Sequence, residues 1–293
     1  MIPLVIILMP IMMQTTNTDS SEVKTRLLEL FGSAQGTYAV AAWDLRSDRT
    51  ILINEHEVFH AASTMKTPVM IEVYRQAREG KFRLDDSIRV RNEFKSIVDG
   101  SPYQLDLGED SDDSVYRLIG QKTTIRDLVH HMITVSSNLA TNVLMDLVGA
   151  TQVTATMRTL GAPDIQVLRG VEDMKAFERG MSNTTTAYDL MMIYHTLARR
   201  AVVDSAASEE MLGVLLDQKF NELIPAQLPA GTRVAHKTGS ITGVLHDSGI
   251  VVAPDGSTYV VVLLSKDLPD FKTGRTVLAE ASRIIYEDFV TKH

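Results

Sequence analysis

Residues 233–265 have the sequence RVAHKTGSITGVLHDSGIVVAPDGSTYVVVLLS, which predicts three consecutive β-strands. We expect them at Arg233–Ser240, Gly243–Val252 and Thr258–Ser265, where β-branched and other apolar residues are concentrated. The turn Pro254-Asp255-Gly256 joins the last two strands. The C-terminal part of the chain therefore supplies most of a β-sheet.

The N-terminal region supplies the rest of that sheet. Strands are expected at Tyr38–Leu45 and Thr50–Asn54, because a polar turn between them gives a hairpin signal. An amphipathic helix, Glu22–Phe31, precedes them, and a closing helix, Thr276–Val290, follows the last strand of the chain. We therefore predict an α/β (α+β) fold in which both termini build one antiparallel sheet and the terminal helices cover one of its faces.

The middle of the chain has the helical period from Ser63 to about Asp204. The predicted helices are Thr64–Arg78, Thr124–Ile133, Asn138–Leu147, Thr151–Leu160 and Thr185–Arg199. This helical lobe is inserted after the second strand, so a cleft suited to a site forms between the lobes. We expect one catalytic domain over residues 20–293, with a sheet lobe (20–60 and 226–293) and a helical lobe (61–225).

The first residues, Met1 to Met13, are almost wholly apolar and are followed by the polar run Gln14 to Ser21. This apolar stretch is too short to span a bilayer as a helix but has the length of a signal peptide. It lacks a Lys or Arg n-region and a clear small-x-small cleavage site, so a buried N-terminal segment is the alternative. We expect residues 1–19 to be a leader that directs export to the periplasm or the extracellular space, and no stable membrane span in the mature chain.

The composition excludes several function classes. Of 293 residues, 44% are hydrophobic and 23% are charged, which are ordinary values for a globular protein. The net charge of −8 includes an acidic cluster at 109–113 and leaves no basic face for nucleic acid. The chain has no cysteine, which rules out cysteine nucleophiles, thiolate metal sites and disulfides.

The first catalytic candidate is Ser63-Thr64-Met65-Lys66, at the start of a predicted helix. Residues three apart share a helix face, so the amine of Lys66 comes within reach of the Ser63 hydroxyl, which needs a base to become nucleophilic. Pro68 is tolerated only near a first turn, which places Ser63 at the positive end of the helix. Ser21-Glu22-Val23-Lys24 repeats the pattern, and we interpret that copy as chance because short motifs recur.

Two further motifs follow. Ser136-Ser137-Asn138 lies in a polar corner between two predicted helices, where it can cap the second helix and project a hydroxyl and an amide into the cleft. Lys237-Thr238-Gly239-Ser240 lies on a strand that can offer a cation, a hydroxyl and N–H groups to an anionic substrate, while Gly239 permits close approach. Lys272-Thr273-Gly274 repeats the tripeptide, in a loop that we interpret as a turn and helix start.

The order and spacing of the three motifs resemble those of the class A β-lactamases and their penicillin-recognising serine relatives, over nearly the whole mature chain. The resemblance implies that Ser63 is acylated, that Lys66 is the base in acylation and that Ser136 passes a proton to the leaving nitrogen. A glutamate is the competing candidate for the acylation base. The implied binding residues are Asn138 for the substrate amide, Lys237, Thr238 and Ser240 for its carboxylate, and the N–H groups of Ser63 and Ser240 for the oxyanion.

The chain departs from that family pattern at two places. Ser137 stands where the family has aspartate. In the loop that supplies the deacylating glutamate, Glu172 follows Arg169 one residue late, Ala176 replaces an asparagine, and Asn183 replaces an aspartate. Glu172 is the expected deacylation base and Glu178 a weaker contender, with a solvated surface glutamate as the alternative for Glu172.

We therefore predict a serine hydrolase that opens β-lactam amides and acts as a monomer on a small-molecule substrate, without a metal or organic cofactor. A D-alanyl-D-alanine carboxypeptidase, penicillin-binding protein or esterase of the same fold, acting on a D-alanyl peptide, is the main alternative. A domain that binds cell-wall fragments without chemistry is a remote one. His56-Glu57-Val58-Phe59-His60 matches a zinc-protease pattern, but in extended chain its histidines are about 13 Å apart and cannot share one ion.

Overall fold

The structure is a computed structural model that describes residues 19–291. The leader expected over residues 1–19 lies outside the described residues apart from position 19. The helices are α1 (Asp19–Gly32), α2 (Lys66–Arg78), α3 (Ile125–Thr134), α4 (Asn138–Val148), α5 (Ala150–Thr159), α6 (Met174–Glu178), α7 (Ala187–Ala198), α8 (Ser205–Leu216) and α9 (Phe271–Tyr286). Within residues 19–291, no helix is long and apolar enough to cross a membrane.

Strands from both ends of the chain form the main sheet. The strands are β1 (Thr37–Asp44), β2 (Thr50–Ile53), β3 (Phe59–His60), β4 (Ser87–Arg89), β5 (Phe94–Lys95), β6 (Pro102–Tyr103), β7 (Lys122–Thr124), β8 (Thr184–Thr185), β9 (Arg233–Ile241), β10 (Val244–Val252) and β11 (Thr258–Lys266). Five of them pair in the order β2-β1-β11-β10-β9, antiparallel throughout. The predicted fold class, a sheet built from both termini with an inserted helical lobe, is confirmed.

The central strand β11 is buried on both faces, which explains its run of five apolar residues. Val260 and Val262 point into a core shared with the helical lobe. Val261 and Leu263 point into a second core, which α1 and α9 cover. The sheet is thus held from both sides, and its edge strand β9 faces the helical lobe, where the second and third motifs meet.

Several element boundaries differ from the sequence predictions. Helix α9 begins at Phe271 and not at Thr276, because Asp270 caps it by accepting the N–H of Thr273 at 2.7 Å. The repeated Lys272-Thr273-Gly274 therefore lies in its first turn. Helix α8 was not predicted, although Asp204 caps it by accepting the N–H of Ala207 at 2.8 Å.

A glycine in β10 allows strand β9 to lie close against it. An added Cβ at Gly249 would lie 2.4 Å from the carbonyl oxygen of Ala235 and 2.6 Å from the Cβ of His236. We expect Gly249→Ala to lower the free energy of unfolding by about 1–3 kcal/mol, because neighbouring backbone must shift. Equilibrium unfolding in urea measures this difference in the free energy of unfolding. Gly213→Ala is the matched control, since this helical glycine has open space around it and alanine there should raise stability by about 0.5–1 kcal/mol.

Candidate active site

Ser63 lies in a single 3-10 turn, Ala62–Met65, that leads directly into α2. The turn is fixed by two local hydrogen bonds: Thr64 Oγ1 donates to the Ala61 carbonyl at 2.6 Å, and the N–H of Ala62 donates to Nδ1 of His60 at 3.0 Å. Pro68 falls in the first turn of α2, as predicted. Ser63 is half-buried and lines the cleft between the lobes.

Lys66 is completely buried at the start of α2. Its Nζ donates to the Ser136 carbonyl at 2.6 Å, to Ser136 Oγ at 3.1 Å and to Asn138 Oδ1 at 2.9 Å. Burial lowers the pKa of Lys66 to about 7, against the charges of Asp110 and Glu172, which raise it. A large fraction of this amine is therefore neutral near neutral pH, as a general base requires.

The polar corner between α3 and α4 both caps α4 and projects side chains into the cleft. Ser137 caps α4, because its side chain accepts the N–H of Ala140 at 3.3 Å. Ser136 precedes it with φ of 60°, a left-handed conformation that turns its hydroxyl into the cleft. Ser136 Oγ then lies 3.1 Å from the Lys66 amine and 3.0 Å from the amine of Lys237.

Lys237 projects from β9 and is also completely buried. Its Nζ donates to Ser136 Oγ at 3.0 Å and to the Thr238 carbonyl at 2.8 Å. Burial lowers the pKa of Lys237 well below its usual value, and the charge of Lys66 lowers it further. The two lysine amines thus approach one serine hydroxyl from opposite lobes of the protein.

Gly239 brings strand β9 against the turn that carries Ser63. A Cβ added at Gly239 would lie 3.0 Å from the backbone nitrogens of both Ser63 and Thr64. Only a residue without a side chain leaves room for this approach. Ser240, the next residue, is exposed and lines the same cleft as Ser63, so both N–H groups expected to bind an oxyanion border one space.

The cleft itself has a volume of about 370 Å³. The motif residues Ser63, Ser136, Asn138, Thr238, Gly239 and Ser240 line it, together with residues outside the three motifs, namely Glu109, Ser111, Phe220, Glu222, Leu223, Leu245, Phe271 and Arg275. Arg275 is the informative one, because it adds a cation to the cleft wall from α9. The only sequence signal for Arg275 was its place directly after the repeated Lys-Thr-Gly tripeptide.

Glu172 is not a solvated surface residue. Its Oε1 accepts the side-chain N–H of Asn138 at 2.8 Å, and its Oε2 accepts the backbone N–H of Asp106 at 3.2 Å. Burial raises the pKa of Glu172, although these hydrogen bonds lower it in part. Asn138 therefore connects Glu172 to Lys66 through one amide. Glu178, the weaker contender, is exposed at the end of α6.

The loop that carries Glu172 is closed at its base by amide hydrogen bonds. The side chain of Asn183 accepts the N–H groups of Leu168 and Arg169 at 2.8 and 3.2 Å and donates to the Arg169 carbonyl at 2.9 Å. The Arg169 guanidinium donates to the carbonyls of Met181 and Gly170. Asn183, which stands where the family has an aspartate, therefore bonds to the backbone of Leu168 and Arg169 and forms no ion pair with the Arg169 guanidinium.

The zinc-protease alternative is not supported. His60 lies in β3 and His56 in the turn before it, so the two histidines do not share a helix face. Among residues 19–291, no group of three or more His, Cys, Asp or Glu side chains could hold a metal ion.

Comparisons with known proteins agree with the predicted fold and family. A model of the β-lactamase enzyme family matches residues 22–289. The extended-spectrum β-lactamase PER-1 of Pseudomonas aeruginosa is 23% identical over 282 residues, which are 93% of this chain and 89% of that protein. A β-lactamase structure from Sphaerobacter thermophilus is 26% identical with a TM-score of 0.76, covering 93% of this chain and 97% of the other. PBP-A, solved in a mutant form as an acyl-enzyme complex with penicillin G, is 23% identical with a TM-score of 0.80, covering 92% and 97%.

The fold and its solved relatives define a class, that of β-lactamases and penicillin-binding proteins with a two-lobed α/β architecture. Within that class, the chain belongs to the β-lactamase enzyme family.

Proposed function

We propose that this protein hydrolyses β-lactam amides through an acyl-enzyme on Ser63. The observation that supports the proposal most directly is the position of Ser136 Oγ, 3.1 Å from the amine of Lys66 and 3.0 Å from that of Lys237. This arrangement connects a buried base, a proton relay and a cation beside the turn that presents Ser63. Such a set suits transfer of an acyl group with proton transfer to the leaving nitrogen.

In acylation, the neutral amine of Lys66 accepts the Ser63 hydroxyl proton while Ser63 Oγ attacks the carbonyl carbon of the lactam. The N–H groups of Ser63 and Ser240 stabilise the oxyanion of the tetrahedral intermediate. The amide C–N bond then breaks, and Ser136 delivers a proton to the nitrogen while it regains one from the lysine side of the network. The product of this step is an ester on Ser63.

Binding of the substrate uses groups on both sides of the cleft. Asn138 Oδ1 and Nδ2 are held by Lys66 and Glu172, so the Asn138 amide is fixed at the cleft wall, where it can contact the substrate amide. Lys237, Thr238 and Ser240 on β9 bind the carboxylate. Arg275 extends this positive wall from α9.

Deacylation needs a water molecule and a base near the ester carbonyl. Glu172 fits this role because its half-buried carboxylate lies next to Asn138, inside the network of Lys66. The raised pKa of Glu172 makes the carboxylate a stronger base than a solvated one. Glu172 takes a proton from the water as its oxygen attacks the ester carbonyl, and it passes that proton to Ser63 Oγ when the ester bond breaks, which releases the opened product and regenerates the Ser63 hydroxyl.

The decisive experiment is intact-protein mass spectrometry over time after mixing with benzylpenicillin, with a parallel assay of the opened product. A transient adduct with catalytic product supports a β-lactamase. The ring-opened penicilloate serves as the control, because it keeps the side chain and the thiazolidine carboxylate of penicillin but has no β-lactam amide to open. Absence of both adduct and product would overturn the proposal and direct the work to esters and D-alanyl peptides.

A penicillin-binding protein or D-alanyl carboxypeptidase is the second candidate function. The altered loop favours it, since Ala176 is buried in α6 where the family pattern has an asparagine, and Glu172 comes one residue late. In the same experiment, a persistent adduct with little product would identify this alternative. A binding domain without chemistry would give no adduct at all.

The dependence of acylation on pH follows from Lys66. Because the pKa of Lys66 is lowered to about 7, the base is present above that pH and is lost below it. We expect the single-turnover acylation rate to fall by about tenfold for each pH unit below the Lys66 pKa. Stopped-flow measurements of acylation by a chromogenic cephalosporin, made over a range of pH, test this dependence. A Lys66→Arg variant keeps the charge but does not lose its proton in this pH range, so its acylation should be slow at every pH. A wild-type acylation rate that does not change with pH would contradict the role of Lys66.

We also propose export of the protein, with residues 20–293 acting as one catalytic domain and as a monomer. The apolar run Met1 to Met13 supports the export of the chain. N-terminal sequencing of the protein recovered outside the cytoplasm would test cleavage near residue 19, and light scattering would test the monomer.

A further inference from the structure

The N-terminus of helix α4 is held by a carboxylate from a different part of the chain. Asp110 Oδ2 accepts the backbone N–H groups of Asn138 and Leu139, each at 2.9 Å. Asp110 Oδ1 accepts the N–H of Asp112 at 3.1 Å, which fixes the orientation of the carboxylate. Asp110 therefore positions the corner that carries the proposed proton relay.

The loop around Asp110 is anchored to the same corner at two further points. Ser111 Oγ donates to the Val135 carbonyl at 2.6 Å, directly before Ser136. Asp112 is buried and lies 2.7 Å from Nδ1 of His131 on α3. Three consecutive residues thus fasten the loop to the end of α3 and the start of α4.

This arrangement coincides with a departure in the sequence. The family pattern has an aspartate at the middle position of the second motif, where this chain has Ser137. The Ser137 hydroxyl caps α4 through the N–H of Ala140 alone, at 3.3 Å. Asp110 supplies a negative charge at the same helix terminus, where such a charge is stabilising.

The charge of Asp110 also acts on the reacting groups. It raises the pKa of Lys66 and, to a smaller extent than burial, that of Glu172. The other charged groups that face Lys66 are Glu172 from its loop and Lys237 from β9. Neutralising Asp110 therefore lowers the pKa of both proposed bases.

We propose that Asp110 is a positioning residue that replaces the missing carboxylate of the second motif and holds Ser136 and Asn138 in place. This inference rests on the proposed function, because it concerns the acylation step at Ser63. It places in the loop before α3 a carboxylate that the family pattern has within the motif itself.

Two substitutions separate the charge of Asp110 from its hydrogen bonds. Asp110→Asn keeps an acceptor oxygen but no charge, so the acid limb of the acylation rate should move to lower pH while the plateau rate changes little. Asp110→Ala also removes the acceptor, so its plateau rate should fall by about tenfold or more through misplacement of Ser136 and Asn138. A loss of structure alone would lower the rate without moving the limb.

A second-site change provides the rescue. In Asp110→Asn/Ser137→Asp the carboxylate returns to the α4 terminus from within the motif, and the acid limb should move back toward that of the wild type. Acylation is followed by intact mass with benzylpenicillin, and thermal unfolding checks the fold of each variant. If the wild type forms no adduct, the proposed function fails and this inference fails with it. If the wild type reacts and both Asp110→Asn and Asp110→Ala react identically to it at every pH, the inference alone is overturned.

Discussion

In a Ser63→Ala variant, covalent labelling by benzylpenicillin is expected to disappear and ring opening to fall by about 10⁴-fold or more. The reason is that the variant keeps the cleft, Lys66 and Lys237 but has no atom that can form the ester. The half-buried position of Ser63 on its short turn means that alanine fits without rearrangement. Intact mass and product formation, measured together, report the loss.

The chain offers a matched control for this experiment. Ser21 repeats the Ser-x-x-Lys pattern with Lys24, but it lies in α1, which packs against α9 on the far face of the sheet. Ser21→Ala should therefore label and turn over like the wild type. An adduct that persists in Ser63→Ala would show that the nucleophile is a different residue.

The second large effect is expected for Glu172→Gln. The side chain of Asn138 and the N–H of Asp106 donate hydrogen bonds to the carboxylate of Glu172. A glutamine side chain can keep one of these contacts, but it cannot accept a proton from water. We expect deacylation to slow by about 10²–10⁴-fold, so that the acyl-enzyme accumulates while acylation continues. The lifetime of the adduct by mass spectrometry is the measurement.

Glu178→Gln is the control for that variant, because Glu178 is exposed and should not alter the adduct lifetime. If Glu172→Gln turns over like the wild type, another group activates the water. If the wild-type adduct is already long-lived and the substitution does not lengthen it, the penicillin-binding protein is the better description of the chain.

The sequence was sufficient for the fold class because its strongest signals are local. The strands near the C-terminus and the hairpin β1–β2 are runs of apolar and β-branched residues bounded by turn residues, which is a signal contained within each segment. Helix α8 was missed because its apolar residues include small side chains and a glycine, which weaken the helical period. Its capping aspartate, Asp204, was the signal available.

The site was predicted where its residues occur in motifs and missed where distant segments meet. The motifs predicted Ser63, Lys66 and Lys237 as candidates, and the structure brings them together around Ser136. Asp110 and Arg275 were not predicted, because Asp110 reaches the α4 terminus only through the folding of its loop, and Arg275 reaches the cleft only because α9 begins earlier than its sequence suggests. The spacing of residues in a sequence motif predicts which side chains are close within one segment, but it does not predict contacts between segments that are distant in the chain.

The hydrogen bonds of Asn183 at the base of the Glu172 loop determine how this part of the loop responds to salt. An ion pair between an arginine and an aspartate weakens when dissolved salt screens its charges. The hydrogen bonds between the Asn183 side chain and the backbone of Leu168 and Arg169 involve no pair of opposite charges. The base of the loop should therefore respond little to ionic strength, whereas the exposed ion pair between Lys175 of α6 and Asp99, at 2.9 Å, is the contact that salt screens. Changes in ionic strength should therefore act on the encounter with an anionic substrate more than on the contacts that Asn183 makes.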